Sequence, residues 1–125
     1  MNTKKLIIID DEEGLLSLIS ELACEIGYKV KTYTNALDFV KEKNLKADLI
    51  ILDMMMPDMD GIEVIMYLKK IACTSKIILM SGHPGGLFEV AQQLAKMEGL
   101  DVIENLIKPF RMAELKKRLE SLYLS

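Results

Sequence analysis

The sequence predicts an α/β fold built on a doubly wound parallel β-sheet, and two observations lead to this prediction. Short runs rich in Ile, Val and Leu alternate with longer stretches of helical spacing, and this strand–helix unit occurs five times along the 125 residues. A chain of this length can bury its own core but cannot form an eight-fold barrel. We therefore expect one domain, residues 1–125, with five strands and five helices.

Five apolar runs of four to six residues are predicted to be the strands. In chain order they are Leu6–Ile9, Val30–Tyr33, Leu49–Leu52, Ile77–Met80 and Val102–Ile107. Runs of this length and composition are typical of parallel strands that are covered on both faces. Because crossovers between parallel strands are right-handed, we expect helices on both faces of the sheet.

The stretches between the strands carry apolar residues three or four positions apart, which predicts helices with one buried face. The first helix is expected to end at Gly27, the second to follow Asn35 as its N-cap, the third to begin at Asp60 or Gly61, and the fourth to end at Gly99. The residues expected to face inward are, helix by helix, Leu15, Leu16, Leu18, Ile19, Leu22, Ala23 and Ile26; Leu37, Phe39 and Val40; Ile62, Ile65, Met66 and Leu68; Phe88, Ala91, Leu94, Ala95 and Met97; and Met112, Leu115, Leu119 and Leu122.

Composition argues against several classes of protein. Sixteen Lys and Arg against nineteen Asp and Glu give a net charge of −3, which disfavours direct binding to nucleic acid. The longest apolar run, Val64–Leu68, is too short to span a membrane, and the absence of a signal peptide predicts a cytoplasmic location. Cys24 and Cys73 lack metal-ligand spacing and are expected to be reduced, mostly buried thiols.

Polar residues follow four of the predicted strands. Asp10 and Asp11 follow the first, Asp53 the third, Ser81 the fourth and Lys108 the fifth. Each alone has an ordinary explanation as a helix cap or loop residue, but ligands of open parallel sheets bind at this edge. Three neighbouring carboxylates repel one another unless a cation is present, and their hard oxygen atoms suit Mg²⁺. The set predicts Mg²⁺-dependent phosphoryl chemistry with an Asp as the nucleophile.

Four blocks of the sequence resemble receiver domains of response regulators in two-component signalling. The blocks are Leu6–Glu12 (LIIIDDE), Asp53–Gly61 (DMMMPDMDG), Ser81-Gly82 and Lys108–Phe110 (KPF), in the order typical of the family. The likeness covers essentially the whole chain. It implies a flavodoxin-like sheet with strand order 2-1-3-4-5 and a signalling switch that is not a turnover enzyme.

The resemblance also implies roles for the residues at the strand ends. Asp53 corresponds to the phosphoacceptor, which takes a phosphoryl group from a phosphohistidine on a sensor histidine kinase or phosphotransfer protein. Asp11, Asp53 and the backbone carbonyl of Met55 would bind Mg²⁺ directly, and Asp10 would act through water. Lys108 would hold the phosphoryl group.

A second set of residues is implied to carry the signal away from the acceptor. Ser81 would turn inward to bond the acyl phosphate, and Pro109 would follow a cis peptide. Phosphorylation adds about −1.5 to −2 charges, and the response would alter the face formed by the fourth helix, the fifth strand and the fifth helix, for partner binding or homodimerisation. His83, the only histidine, lies in the same switch region and is expected in a surface loop.

Two features depart from the family pattern. Asn105 stands three residues before Lys108, where receivers usually have Tyr, Phe or His, so the aromatic half of the switch is missing. The stretch Gly99–Ile107 is longer than usual and is similar to receivers attached to cyclic-di-GMP phosphodiesterases.

Other interpretations stay open from the residues. One is a receiver-like module that works without phosphorylation, and another is a Mg²⁺ phosphatase, which would need a second Asp where Met55 stands. A flavin-binding protein would need a hydroxyl-rich phosphate loop in place of the acidic residues after the first strand. Lys116–Arg118 is expected to be solvated or, alternatively, to pair with Asp101 or Glu104 across a dimer. The 125 residues are expected to leave no room for an output domain, so the output would be reached through a partner.

Overall fold

A five-stranded parallel sheet with helices on both faces forms the computed structural model of the chain, which describes residues 3–42, 45–82 and 86–125. The strands are β1 (Lys5–Ile9), β2 (Lys29–Tyr33), β3 (Leu49–Asp53), β4 (Lys76–Ser81) and β5 (Asp101–Ile107). The helices are α1 (Glu13–Ile26), α2 (Ala36–Val40), α3 (Gly61–Lys70), α4 (Leu87–Met97) and α5 (Met112–Leu124). The strand order β2-β1-β3-β4-β5, with every pair parallel, confirms the predicted fold.

The buried core lies in two layers, one on each face of the sheet. Side chains alternate between the faces of a strand, so Ile7 and Ile9 of β1 pack with α2, α3 and α4, whereas Leu6 and Ile8 pack with α1 and α5. The central strand β3 is buried at all five positions. The predicted apolar runs are therefore strands that need apolar residues on both faces.

The two edge strands differ from the expectation that every strand is covered on both faces. In β2 only Tyr33 is buried, and Lys29 and Lys31 are exposed. No residue of β5 is fully buried. An edge strand has a neighbour on one side only, and exposed lysines on such a strand discourage pairing with another chain.

The strand β5 contains a β-bulge. Ile77 of β4 pairs with Val102, but the next residue, Ile78, pairs with Glu104, so Ile103 is an extra residue without an opposite partner. The extra residue lies within the stretch Gly99–Ile107 that precedes Lys108 in the sequence. Normal register resumes beyond the bulge and continues to the end of the strand.

The helix α5 packs beside the bulged strand and forms an ion pair with it. The Arg118 Nε lies 2.7 Å from a carboxylate oxygen of Glu104, so this cation pairs with Glu104 inside one chain. The pairing of Lys116–Arg118 across a dimer, one of two alternatives from the sequence, is therefore not needed to account for Arg118.

Helical spacing predicted the helices correctly but not every inward-facing residue. Leu18, Leu37, Met66 and Met97 are exposed, and Val64 is buried in place of Met66. Positions three and four apart share one face of a helix. The set of residues predicted to face inward was wider than that buried face and included residues that point away from it.

The expectation that both thiols are mostly buried is wrong for Cys24, which is exposed, while Cys73 is half-buried. Cys24 follows the buried Ala23 on α1 and lies about 100° further around that helix. Among the described residues, no helix combines the length and apolar character needed to cross a membrane.

Side-chain caps mark the starts of two helices where the sequence predicts them. The Asn35 side chain accepts a hydrogen bond from the Asp38 N–H (2.8 Å), and the Asp60 carboxylate accepts one from the Glu63 N–H (2.9 Å). Both helices thus satisfy one of their otherwise unpaired N–H groups.

The turn after α1 is locked against α5. Gly27 has φ 128°, and a Cβ at this position would lie 2.9 Å from the Tyr123 hydroxyl oxygen, so both the backbone and the neighbouring ring require glycine. The next residue, Tyr28, donates from its hydroxyl to the Leu119 carbonyl at 2.7 Å and packs edge-on against the Tyr123 ring. Burial raises the pKa of Tyr28 to about 12, with nearby Tyr123 and Asp48 contributing.

We predict that the chain loses stability as the pH rises above 10. A tyrosine in the unfolded chain ionises near its ordinary pKa of 10.0, whereas folded Tyr28 keeps its proton up to about 12. The folded state therefore binds more protons than the unfolded state in this window, and Tyr28's contribution, complete below pH 10, is lost as the pH rises towards 12. Urea-unfolding midpoints of the wild type and Tyr28→Phe between pH 9 and 11.5 test this.

Tyr28→Phe is expected to be less stable by about 1 kcal/mol at pH 9, because the hydroxyl's hydrogen bond is lost. Its stability should then decline less steeply with pH than that of the wild type, so the two curves approach each other. Parallel curves would contradict the prediction.

Candidate functional site

The carboxyl ends of four strands bring the predicted polar residues to one edge of the sheet. Asp10 follows β1, Asp53 and Ser81 are the last residues of β3 and β4, and Lys108 follows β5. Asp10, Asp53 and Ser81 are 0%, 3% and 1% exposed, whereas Asp11 is exposed to solvent. Buried polar groups of this kind are stable only with hydrogen-bond or charge partners, so the carboxyl-terminal edge of the sheet forms a preorganised polar site.

Three carboxylates form the acidic cluster of the site. One oxygen each from Asp10, Asp11 and Asp53 lies within 4.8 Å of the others. Carboxylates this close repel one another, and a bound cation relieves the repulsion. The donor set fits Mg²⁺, which prefers oxygen ligands and keeps several waters, and the exposure of Asp11 leaves one side of the cluster open to water.

Lys108 supplies the positive charge that faces the two buried carboxylates. Its Nζ donates to Asp10 Oδ2 at 2.9 Å and to Asp53 Oδ2 at 3.3 Å. Burial lowers the pKa of Lys108, but the hydrogen bond to Asp10 and the charges of both carboxylates outweigh it, so its pKa is raised. Lys108 therefore remains an ammonium ion. Its backbone N–H donates to the Ser81 carbonyl (2.8 Å), and the peptide bond to Pro109 is cis.

Asp53 differs in its electrostatics from an ordinary surface aspartate. Its pKa is raised to about 6, chiefly by burial and also by the charge of Asp10, although the Met55 N–H and Lys108 act in the opposite direction. The Met55 N–H donates to Asp53 Oδ1 at 3.0 Å. Loss of the Asp53 proton is therefore favoured by any cation that joins the cluster.

A tight loop after β3 holds the backbone of Met55 beside Asp53. Met55 forms an isolated antiparallel bridge with Asp60, and the Gly61 N–H donates to the Met54 carbonyl (3.2 Å). A Cβ at Gly61 would collide with the end of the Met54 side chain and lie 3.1 Å from the Met54 Cα, so a larger residue here would force this part of the loop to shift. The Met55 side chain is exposed, and its backbone is the part of the residue next to the cluster.

Asn105 of the predicted switch region is not part of the acidic cluster. Asn105 lies within β5 opposite Leu79, and its side-chain oxygen is buried with no hydrogen-bond partner among the described residues. His83 lies outside the described residues. Its expected place in a surface loop stays a prediction.

Sequence reasoning missed Asp58, in the loop between Asp53 and α3. Its Oδ2 accepts a hydrogen bond from the Leu37 N–H (2.9 Å), which joins this loop to α2. In the sequence it stands between Pro57 and Met59, where an aspartate indicates no more than a turn.

The comparisons with known proteins agree on one family. A family model described as the response regulator receiver domain matches residues 6–120. Sporulation initiation phosphotransferase F of Bacillus subtilis is 31% identical over 119 residues, which cover 93% of this chain and 90% of that protein. Other curated relatives are longer, and this chain spans 46% of one and 48% of another, about half of their length.

Solved structures give the same result. A response regulator from Colwellia psychrerythraea has a TM-score of 0.86 at 35% identity, with 98% of both chains covered. The response regulator TrrA of Thermotoga maritima, in complex with Mg²⁺-BeF, has a TM-score of 0.73 at 29% identity, with 96% of this chain and 99% of that chain covered. Family model, sequence relatives and structures together show that the chain belongs to the response regulator receiver domains.

Proposed function

We propose that the chain is a phosphorylation-dependent switch in which Asp53 accepts a phosphoryl group. Receiver domains of two-component systems are signalling switches that interact with a histidine kinase or phosphotransfer partner. The observation that carries the assignment to Asp53 is the Lys108 ammonium, which lies against Asp10 and Asp53 beside the three clustered carboxylates. Acceptor, cation site and phosphoryl-binding ammonium are thus adjacent.

In the proposed step an Asp53 carboxylate oxygen attacks the phosphorus of a phosphohistidine on the partner protein. The new O–P bond forms as the P–N bond breaks, and the electron pair leaves with the imidazole of the partner. Lys108 turns from Asp53 Oδ2, which it contacts at 3.3 Å, to an oxygen of the transferred phosphoryl group. Because the domain's own residues promote this step, phosphorylation is self-catalysed. The domain is itself the acceptor of the phosphoryl group, so it acts as a switch and not as a turnover enzyme.

The acidic cluster would hold one Mg²⁺ ion through Asp11, Asp53 and the Met55 backbone carbonyl, with Asp10 acting through water. An Mg²⁺ ion bound there would neutralise negative charge on the phosphoryl oxygens. The proposal is supported by the spacing of the three carboxylates and by the Mg²⁺-BeF complex of the TrrA structure.

Two of the other interpretations receive no support from the site. A phosphatase with an Asp nucleophile needs an acid/base carboxylate two residues later, and Met55 places an exposed thioether side chain there. A flavin phosphate would meet the carboxylates of Asp10 and Asp11 at the end of β1 and would be repelled.

The output of the switch is proposed to leave through the α4-β5-α5 face. Ser81 ends β4 and its carbonyl accepts the Lys108 N–H, so a change at Lys108 is transmitted directly to β4 and β5. Val90 and Ile107, on α4 and β5, are exposed apolar residues of this face. Such residues suit an output partner or a second copy of the chain.

Incubation with Mg²⁺ and acetyl phosphate is expected to give a single phosphoryl adduct on the wild-type chain. Asp53→Asn should give none, because the amide is not a competent nucleophile. Asp48→Asn removes the same charge at the opposite end of β3 and serves as the matched control, which should be phosphorylated like the wild type. Intact-mass spectrometry measures the adduct. Absence of an adduct on the wild type, or an equal adduct on Asp53→Asn, would overturn the proposal.

Lys108→Met is expected to destabilise the chain by about 3 kcal/mol at neutral pH, because it leaves buried carboxylates without their counter-charge. Addition of Mg²⁺ should recover part of the loss by placing another cation in the cluster. Urea unfolding with and without Mg²⁺ measures both effects.

Lys69→Met provides the matched control for this change. Lys69 also forms an ion pair, to Glu98 at 2.6 Å, but its side chain is about half exposed, so its loss should have little effect and no dependence on Mg²⁺. Equal destabilisation by the two substitutions would show that Lys108 has no special electrostatic role.

A further inference from the structure

Asp58 makes a contact between a loop and the start of α2 that the phosphorylation chemistry does not require. It lies in the connection from β3 to α3, and its Oδ2 accepts the Leu37 N–H at 2.9 Å. Leu37 is the second residue of α2, and Asn35 accepts the N–H of Asp38 one residue further on. The start of α2 is therefore capped twice, once by its own N-cap and once by a residue 21 positions later.

The Asp58 carboxylate is anchored and not loosely solvated. Its other oxygen, Oδ1, is buried and has no hydrogen-bond partner among the described residues. Burial raises the pKa of Asp58, but the surrounding backbone N–H groups, that of Leu37 foremost, outweigh it, so the pKa lies below its usual value. Burial of an oxygen atom without a hydrogen-bond partner lowers the stability of the fold, and the hydrogen bond from α2 to the other oxygen has to offset this loss.

The same loop ends at the acidic cluster. Met55 donates its N–H to Asp53 and forms the bridge with Asp60, so only residues 56–59 lie between the two bridge partners. Asp58 is one of these four residues. Because the loop is this short, a shift of Asp58 also displaces the backbone of Met55, three residues away.

The helix α2 depends on such support because it has only five residues. Helices this short are not stable by themselves in water. Its C-terminal half has its own anchors, since Phe39 is buried between the rings of Tyr33 and Tyr67. In its N-terminal half Ala36 is buried, and the N–H groups of Leu37 and Asp38 are held by Asp58 and Asn35.

We propose that Asp58 is a positioning residue that couples cation binding in the acidic cluster to the order of α2. A cation that fixes the Met55 backbone also fixes Asp58, and Asp58 then holds the first turn of α2. Coupling of this kind is reciprocal, so loss of the Asp58–Leu37 contact weakens cation binding. This inference rests on the Mg²⁺ site proposed above, but it requires no phosphoryl transfer.

Three variants separate the hydrogen bond from the charge. Asp58→Ala removes both, whereas Asp58→Asn removes the charge and keeps a carbonyl oxygen that can accept the Leu37 N–H. Asp48→Ala is the matched control, because Asp48 also accepts a backbone N–H, from Lys5 at 2.8 Å, but is exposed and lies at the opposite end of the sheet. Thermal unfolding establishes that each variant is folded.

Two quantities are measured on the whole chain without any phosphodonor. Calorimetric titration with MgCl₂ gives the Mg²⁺ dissociation constant. Hydrogen exchange followed by NMR gives the protection of the Leu37 and Asp38 amides with and without Mg²⁺.

In the wild type, Mg²⁺ is expected to slow exchange at both amides. Asp58→Ala should raise the Mg²⁺ dissociation constant about fivefold or more, near the lower end of ordinary coupling between sites, and should abolish the effect of Mg²⁺ on the two amides. Asp58→Asn and Asp48→Ala should stay within about twofold of the wild type, below the range of such coupling.

Several results would overturn the inference. If Mg²⁺ binds to the wild type without slowing exchange in α2, the coupling does not exist, whatever the variants do. If Asp58→Asn weakens binding as much as Asp58→Ala, the cause is long-range charge and not the contact with α2. A wild type that binds no Mg²⁺ would overturn the coupling and the proposed metal site together, whereas a wild type that binds Mg²⁺ but takes no phosphoryl group would overturn only the proposed function.

Discussion

The position of one ammonium group between two buried carboxylates is the interaction on which the structure of the site depends. Asp10 and Asp53 are almost inaccessible to water, and their mutual repulsion would oppose burial if Lys108 did not reach both. Lys108 can reach them only because β5 ends level with β4, where the Ser81 carbonyl accepts its N–H. The parallel sheet, its register and the loop after β5 thus all serve to balance charge at one edge.

The fold followed from the sequence to a large degree because its main signals are local. Ile7 and Ile9 face one layer and Leu6 and Ile8 the other, so a strand buried on both faces needs an unbroken apolar run. The exceptions depend on neighbours that periodicity does not contain. Whether β2 and β5 are covered depends on their places at the edges of the sheet, and the exposure of Met97 depends on what packs beside the end of α4.

The features of the site likewise fall into those that the sequence predicts and those that it does not. Asp10, Asp53, Ser81 and Lys108 could be predicted to meet because each ends or follows a parallel strand, and topology alone brings such positions together. The Asp58–Leu37 contact has no such signal, since it joins the loop after β3 to the first turn of α2 through a residue that is common in turns. The solvent exposure of Asp11 beside two buried acids likewise becomes visible only in three dimensions.

The bulge at Ile103 has a consequence for how this chain is aligned with its relatives. An inserted residue in a strand normally reverses the in–out alternation of everything that follows it. Here the bulge absorbs the insertion, and pairing from Glu104 opposite Ile78 to Ile107 opposite Ser81 is regular. Positions should therefore be counted backwards from Lys108 and not forwards from Gly99. By that count Asn105 stands three residues before Lys108 and opposite Leu79 of β4, in the regular part of the strand.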